Sequence, residues 1–159
     1  MDKYFCGVDP SLKGNAVVII NDKGEVVREI LISTDVECYI NAEQRLLDII
    51  DQMKPMFDYD IIYLGIEGLA YMSTSPTLFE RAALLFMITT DLFLRDIDFK
   101  VIPPTTLKKF VTTDGHADKF FMMKVTKCRW EIDFKDDNLC DAYGLARMAL
   151  EEYTNGKTI

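Results

Sequence analysis

The first hairpin constrains the fold of this chain more than any other part of the sequence. An apolar segment ends on Asp9, the chain turns through Pro10 and Gly14, and a second apolar segment follows at residues 16–20. Two apolar runs joined by a turn are typical of a β-hairpin. A carboxylate at Asp9 is costly to bury unless a metal ion or a hydrogen-bond donor meets it. The alternative is that Asp9 only starts the turn, because Asp-Pro is a common turn pair.

The remaining sequence alternates between strand and helix patterns. A third strand at residues 26–32 completes an antiparallel meander, and the almost wholly apolar segment 60–68 has the pattern of a strand buried on both faces. We therefore expect an α/β fold with a five-stranded mixed sheet, in which the meander is joined to parallel strands and flanked by helices. The fifth strand is predicted at 99–103, and helices are predicted at 39–53, 76–94, 105–110, 117–130 and from 136 onward.

The helix at 76–94 has a broad apolar surface that includes Leu85, Phe86 and Leu92. So much apolar surface predicts a mostly buried helix. Packing on the sheet and a dimer interface explain the pattern equally well.

A second acidic residue, Glu67, ends the buried strand at 60–68. It is followed by Gly68, which lets another backbone or a ligand approach closely. One solvated acid at a strand end is ordinary. Two such acids in one small chain predict that Asp9 and Glu67 converge.

The last helix opens with a third group of polar side chains. Asp137, Asn138 and Asp141 are spaced so that all three can share one helical face. Asp136 or Asp137 can cap the first turn, but capping does not explain Asp141, which lies one turn inside the helix. Like charges at this spacing repel each other unless a cation relieves them, so we expect Asp141 to be functional.

Together these acids offer only oxygen ligands. Such ligands favour a hard ion such as Mg²⁺ or Mn²⁺ over zinc, and the four cysteines are scattered with no Cys-x-x-Cys pair. Two such ions about 4 Å apart can activate water and stabilise a leaving oxygen in phosphodiester cleavage. The single histidine, His116, comes with no motif for acyl transfer. The sequence therefore predicts hydrolysis of a nucleic-acid backbone.

The charge distribution agrees with a nucleic-acid partner despite the net charge of −8. Residues 100–130 hold seven basic and two acidic side chains, a net +5, which leaves −13 on the rest of the chain. A basic segment in an acidic protein can contact phosphates, and the alternative is a solvated helix face.

The size and composition of the chain, 159 residues of which 49% are hydrophobic, predict a single domain spanning residues 1–159. The sequence has neither a signal-peptide pattern nor an apolar run long enough to cross a membrane. Unpaired cysteines suit a reducing compartment. We expect a soluble, cytoplasmic protein without a membrane partner.

Four segments in order resemble the RuvC family of Holliday junction resolvases, which belongs to the ribonuclease H-like superfamily. The segment GVDPSLKGNAVVI resembles the family's first hairpin, GIEGL its second acidic strand, and DNLCDAYGLA its final acidic helix. The basic segment PPTTLKKFVTTDGHADKFFM also matches, and the resemblance covers nearly the whole chain. Short, divergent versions of this kind resemble phage-encoded resolvases, so we also expect a phage gene and, in that case, the host-cell cytoplasm.

The resemblance implies a metal site with two Mg²⁺ ions per site, for which Mn²⁺ substitutes. Asp9, Glu67 and Asp141 are then the metal ligands, with Asp9 shared between the ions. The family's fourth ligand lies three residues before its last aspartate, and this position is Asn138 here. Helical geometry allows both Asn138 and Asp137 as the fourth ligand, and charge favours Asp137.

The resemblance further implies that Lys108 and Lys119 lie near the scissile phosphate and act in catalysis. Tyr71 lies in the loop 69–75, where the family inserts residues at the junction centre, and packing in the core is the alternative for this side chain. The predicted DNA-binding residues are Tyr71, Lys108, Lys109, Lys119 and Lys124.

The implied activity is paired, symmetric nicking of a four-way DNA junction by a homodimer, in recombination or phage DNA processing, and no helicase partner is identified. The family's glycine-flanked helix after the second acid is replaced by ERAAL at residues 80–84, so the dimer geometry is not carried over. Two alternatives remain open. The first is a broader branched-DNA nuclease or a ribonuclease H-like enzyme, and the second is a junction-binding protein with a weak or silent site.

Overall fold

The computed structural model describes residues 3–70 and 75–156. Its five strands lie close to the predicted positions, because each is a mainly apolar run bounded by a turn or loop. They are β1 (Tyr4–Asp9), β2 (Asn15–Asn21), β3 (Val26–Ile32), β4 (Ile61–Glu67) and β5 (Phe99–Ile102).

The strands form one sheet in the order β3-β2-β1-β4-β5. β1 pairs with β2 and β2 with β3 in antiparallel register, whereas β4 runs parallel to both β1 and β5. The predicted five-stranded mixed sheet is confirmed. Because β1 and β4 are parallel and Val8 pairs with Ile66, the two strands end at the same edge of the sheet.

Five α-helices accompany the sheet in the described part of the chain. Three of them follow a side chain that accepts hydrogen bonds from backbone N–H groups of the first turn, namely Asn41, Asp118 and Asp136. The cap at Asn41 explains why the first helix begins three residues later than predicted. The helices are α1 (Ala42–Met53), α2 (Leu78–Leu94), α3 (Pro104–Thr112), α4 (Lys119–Trp130) and α5 (Asp137–Thr154), with 3₁₀ turns at Val36–Cys38 and Lys54–Asp58. None of the described helices is long and apolar enough to cross a bilayer.

The helices cover both faces of the sheet. On one face, Ile49 of α1 and Ile88 of α2 share a buried cluster with Val8 of β1. On the other face, α5 packs on the centre of the sheet, where Ala142 shares a cluster with Phe5. α3 and α4 pack on α5 through a third, smaller cluster. The central strands are therefore buried on both faces, as their apolar pattern predicts.

The prediction that α2 is mostly buried is wrong for its outer surface. Phe86, which the prediction placed in the buried surface, is 73% exposed. A helix that packs on a sheet beside another helix buries one stripe, and the broad apolar surface of α2 leaves a second stripe in solvent. The fully buried residues of α2 are Leu84, Ile88 and Leu92.

Candidate active site

Asp9 and Glu67 meet at the edge where β1 and β4 end. Each is the last residue of its strand, and because side chains alternate along a strand, both point to the face that α5 covers. Asp9 is 6% exposed, and Glu67 is partly buried. Each of the two carboxyl groups shifts the pKa of the other, so the two side chains lie next to each other. The two parallel strands thus bring together acids that are far apart in the sequence.

The helix α5 lies very close to the same two strands. A Cβ built on Gly7 would lie 1.8 Å from the backbone oxygen of Ala142, and one built on Gly65 would lie 2.7 Å from that of Leu145. Only glycine allows α5 to rest on β1 and β4 at these points, because it has no Cβ. Each glycine precedes an acid by two residues and is therefore on the same face as that acid. The close packing sets α5 directly beside both acids.

Asp141 of α5 joins the two strand-end acids in a group of mutually repelling carboxyls. Its pKa is raised to about 7, first by burial and then by the charges of Glu67 and Asp137. The pKa of Asp9 is raised well above its usual range by burial, by the charge and hydrogen bond of Glu67, and by Asp141. Burial also raises the pKa of Glu67. These shifts show that the carboxyls lie within electrostatic reach of one another.

Three basic side chains partly offset this negative charge. Lys108 of α3 and Lys119 of α4 lower the pKa of both Glu67 and Asp141. Arg81 of α2 also lowers the pKa of Glu67. Both lysines predicted to act near the phosphate therefore lie beside the acids, although they come from different helices.

The start of α5 holds the residue that caps the helix and also Asp137, which lies next to the acid cluster formed by Asp9, Glu67 and Asp141. Asp136 caps the helix by accepting hydrogen bonds from backbone N–H groups of the first turn. This cap leaves Asp137 free to accept a hydrogen bond from Nζ of Lys119. The Asp137 carboxylate also raises the pKa of Asp141, one helical turn further on.

Asn138, the other candidate for the fourth ligand position, packs against the turn between β1 and β2. A Cβ built on Gly14 would lie 2.7 Å from Nδ2 of Asn138. Of the two candidates, Asp137 is the one whose charge raises the pKa of Asp141. Asn138 contacts the hairpin that carries Asp9.

A buried cation, Arg45, anchors this hairpin. Its Nη2 donates a hydrogen bond to the backbone oxygen of Leu12 at 2.6 Å, and its Nε donates one to Oγ1 of Thr34 at 2.8 Å. Nη1 of Arg45 lies 4.0 Å from Oε2 of Glu80. Arg45 thus ties α1 and α2 to the turn that follows Asp9.

Sequence reasoning missed Arg45, Arg81 and the two glycines under α5. A signal for the glycines is present as a repeat of glycine, apolar residue and acid, GVD at the end of β1 and GIE at the end of β4. No comparable signal marks Arg45 or Arg81, because their positions depend on how α1 and α2 cross the sheet.

The other described residues of interest are exposed on α3, on α4 and in the loop between them. Lys109 of α3 and Lys124 of α4 are exposed, and neither is among the main charges that shift the pKa values of the acids. His116 is exposed in the loop between α3 and α4, where its backbone N–H donates a hydrogen bond to Oδ1 of Asp114. Tyr71 lies outside the described residues.

The donor set fits a hard divalent cation in its chemistry. Asp9, Glu67 and Asp141 supply only oxygen, and a cation among them relieves the repulsion that raises their pKa values. Within residues 3–70 and 75–156, no group of three or more His, Cys, Asp or Glu side chains is arranged to hold a metal ion as it stands. Binding of one cation by both Asp9 and Glu67 requires both carboxyl groups to lose their protons.

The mixed five-stranded sheet flanked by helices is the architecture that the resemblance to the ribonuclease H-like superfamily implies. Neither a model of a known protein family nor a curated protein sequence matches the chain. Solved structures do match. The structure of Thermus thermophilus RuvC has a TM-score of 0.79 and 14% sequence identity, over 98% of this chain and 97% of the RuvC chain.

Two structures with bound DNA are also similar to this chain. T. thermophilus RuvC in complex with a Holliday junction substrate has a TM-score of 0.76 and 14% identity, over 97% of this chain and 94% of that one. The fowlpox virus resolvase in complex with Holliday junction DNA has a TM-score of 0.56 and 12% identity, over 92% of this chain and 98% of that one. At these identities the similarity establishes the fold, and it confirms the resemblance to RuvC at that level. The phage origin stays a prediction.

Proposed function

We propose that the chain is a metal-dependent endonuclease that resolves four-way DNA junctions by paired, symmetric nicks. The observation that carries the proposal is the convergence of Asp9, Glu67 and Asp141 at one edge of a RuvC-like sheet, beside Lys108 and Lys119. Solved structures of the same fold hold junction DNA, which supports this substrate. The proposal treats residues 1–159 as one nuclease domain that acts in the cytoplasm, or in the host-cell cytoplasm if a phage encodes it.

In this proposal, Asp9, Glu67, Asp141 and Asp137 hold two Mg²⁺ ions, for which Mn²⁺ substitutes. The bound ions supply activation of water and stabilisation of the leaving oxygen. The four carboxylates must be ionised to bind, and because the pKa values of Asp9, Glu67 and Asp141 are raised, a cation has to drive the ionisation of these three.

The lysines have a separate role in the proposal. Lys119 holds Asp137 by a hydrogen bond, and its charge favours the ionised form of Asp141. Lys108 has the same effect on Asp141 from α3. In the proposal, both ammonium groups also attract the phosphate of the cleaved strand towards the acids.

The second partner in the proposal is another copy of the chain. Phe79, Phe86 and Phe93 of α2 are 88%, 73% and 77% exposed. They are spaced seven residues apart, so they form one apolar stripe along the outer face of α2. Three aligned phenylalanines in contact with water are unfavourable, and a second α2 would cover them. Such a dimer offers two acid clusters to one junction, which paired nicking requires.

The test of the proposed function is a cleavage assay on a synthetic mobile four-way junction in Mg²⁺ or Mn²⁺, with nicks mapped on all four arms. Wild-type protein should cut two strands at symmetric positions. Asp9→Asn should abolish cleavage and retain junction binding, because it removes a metal ligand. The matched control is Asp60→Asn, since Asp60 is exposed and directly precedes β4, at the end opposite to Glu67. Loss of binding together with cleavage in Asp9→Asn would mean that Asp9 serves the fold.

Two other functions predict different results in the same assay. A ribonuclease H-like enzyme or a broader branched-DNA nuclease would cut an RNA–DNA hybrid or a fork as fast as the junction. A junction-binding protein with a silent site would bind the junction without turnover in either metal. The support for the silent site is Asn138, which stands where the family pattern has an acid.

A further inference from the structure

An exposed aromatic residue lies next to the lysine of the acid cluster. Phe120 follows Lys119 in the first turn of α4 and is 77% exposed. The opposite face of α4 holds the helix in place, because Met122 and Thr126 are buried there. Thr126 also accepts a hydrogen bond at Oγ1 from Sγ of Cys140 in α5, at 3.3 Å. The packing of α4 therefore does not require a phenyl ring at position 120.

Phe120 forms one wall of a groove on the outer surface of α4. The positions three, four and seven residues after Phe120 also line this groove, so they share one helical face with it. Lys119, which bonds to Asp137, directly precedes Phe120 in the first turn of α4. The residues that line the groove are Phe120, Met123, Lys124, Lys127 and Asp133.

The groove combines apolar surface with positive charge. Asp133 pairs with Lys127, with 2.5 Å between Oδ2 and Nζ, whereas Lys124 has no ion-pair partner among the described residues. A single exposed phenylalanine is ordinary on a protein surface. An aromatic ring beside an unpaired ammonium group, one residue from a lysine that bonds to Asp137, is a different arrangement. Sites for unpaired nucleic-acid strands combine these two features, a positively charged groove and an aromatic ring on which a base stacks.

We propose that this groove holds an unpaired nucleobase of the cleaved DNA strand, with the base stacked on Phe120 and a neighbouring phosphate at Lys124. The inference rests on the proposed function, because it assigns a place to a nucleotide next to the phosphate at the acid cluster. Charge complementarity favours nucleic acid as the occupant. The groove lies mainly in residues 100–130, which carry net +5 in a chain whose other residues carry −13.

The test compares two substitutions of the same residue. Phe120→Leu keeps an apolar side chain and removes the aromatic face, whereas Phe120→Trp keeps an aromatic face. Leu47→Ala is the control, because Leu47 is an exposed apolar residue of α1, which packs on the opposite face of the sheet. Binding is measured without divalent ions for three probes, which are a four-way junction, single-stranded oligothymidylate, and an abasic oligomer of the same length.

Stacking predicts that Phe120→Leu binds oligothymidylate and the junction about tenfold more weakly than wild type. Phe120→Trp should bind at least as tightly as wild type, and the abasic oligomer should not distinguish wild type from Phe120→Leu. Equal binding of oligothymidylate by wild type and Phe120→Leu would overturn this inference and leave the nuclease proposal intact. If wild-type protein neither binds nor cuts the junction, the proposed function is overturned. The comparison with oligothymidylate would still decide the role of Phe120.

Discussion

Gly7 of β1 and Ala142 of α5 approach each other so closely that a Cβ on Gly7 would lie 1.8 Å from the backbone oxygen of Ala142. This contact fixes the height of α5 above the sheet. It thereby sets the position of Asp141 relative to Asp9, which lies two residues beyond Gly7. The arrangement of the acids depends on a residue that has no side chain and no charge.

We expect Gly7→Ala to destabilise the protein by more than about 3 kcal/mol, because its methyl group fits only if α5 moves away from β1. Gly65→Ala should cost less, since its Cβ would lie 2.7 Å from the backbone oxygen of Leu145. Gly115→Ala, in the loop between α3 and α4, is a control in which the nearest atom lies 3.2 Å away. Urea unfolding measures all three variants. Wild-type stability in Gly7→Ala would contradict the packing described here.

The raised pKa of Asp141 predicts that the metal-free protein becomes less stable as the pH rises. The folded protein holds a proton on Asp141 up to about pH 7, whereas the unfolded chain releases it near its ordinary pKa of 3.8. The contribution of Asp141 to stability is therefore fully present below its pKa in the unfolded chain, and it is lost as the pH rises through its pKa in the folded protein. Asp9 and Glu67, whose pKa values are also raised, act in the same direction.

Asp141→Asn should remove the contribution of Asp141 to this loss of stability at high pH. The variant should be more stable than wild type at about pH 8, on the order of a few kcal/mol, and its stability should vary less with pH. Urea unfolding between about pH 5 and pH 8 in the presence of a chelator measures this, with Asp60→Asn as the control. A variant less stable than wild type at the alkaline end would mean that the Asp141 carboxylate stabilises the fold.

Lys119→Met should slow junction cleavage near neutral pH by roughly 10- to 100-fold. Without the ammonium group, Glu67 and Asp141 are harder to ionise, so the rate should recover at higher pH. Single-turnover rates across pH test this shift. Lys109→Met is the comparison, because Lys109 is exposed and should affect junction binding more than the pH profile. If the pH dependence of the rate is unchanged in Lys119→Met, then Lys119 does not promote the ionisation of the acids.

Phe86→Glu should convert the proposed dimer into a monomer, because it places a charge in the middle of the apolar stripe on α2. Sedimentation velocity measures the change in mass. Leu47→Glu is the control on exposed surface of α1. If wild type sediments as a monomer at the concentrations used for cleavage, then paired nicking does not arise from a stable dimer of this kind.

The sheet was predictable from sequence because its strands are mainly apolar runs bounded by turn residues. The edge where Asp9 and Glu67 meet follows from two strands that run parallel and each end in an acid. The start of α1 was not predictable from periodicity alone, since the Asn41 side chain determines where the helix begins. The exposure of Phe86 was also not predictable, because apolarity does not distinguish a buried stripe from a second, outer one.

The acid cluster was only partly predictable from the sequence, because the sequence pattern does not give the tertiary neighbours of each side chain. Helical spacing places Asp137, Asn138 and Asp141 on one face, but it does not say which neighbour each side chain meets. The cap at Asp136 and the contact of Asn138 with Gly14 are tertiary features that separate the roles of these residues. The charge of Arg81 reaches the cluster from α2, a helix that the sequence pattern marks only as apolar.

The measurement that tests the central claim most directly is calorimetric titration of Mn²⁺ into wild type, Asp9→Asn, Asp141→Asn and Asp60→Asn. The claim is that acids from β1, β4 and α5 bind the same divalent cations. Wild type and Asp60→Asn should then show saturable binding with release of protons, and the other two variants should lose it. Unchanged Mn²⁺ binding in both Asp9→Asn and Asp141→Asn would contradict the account.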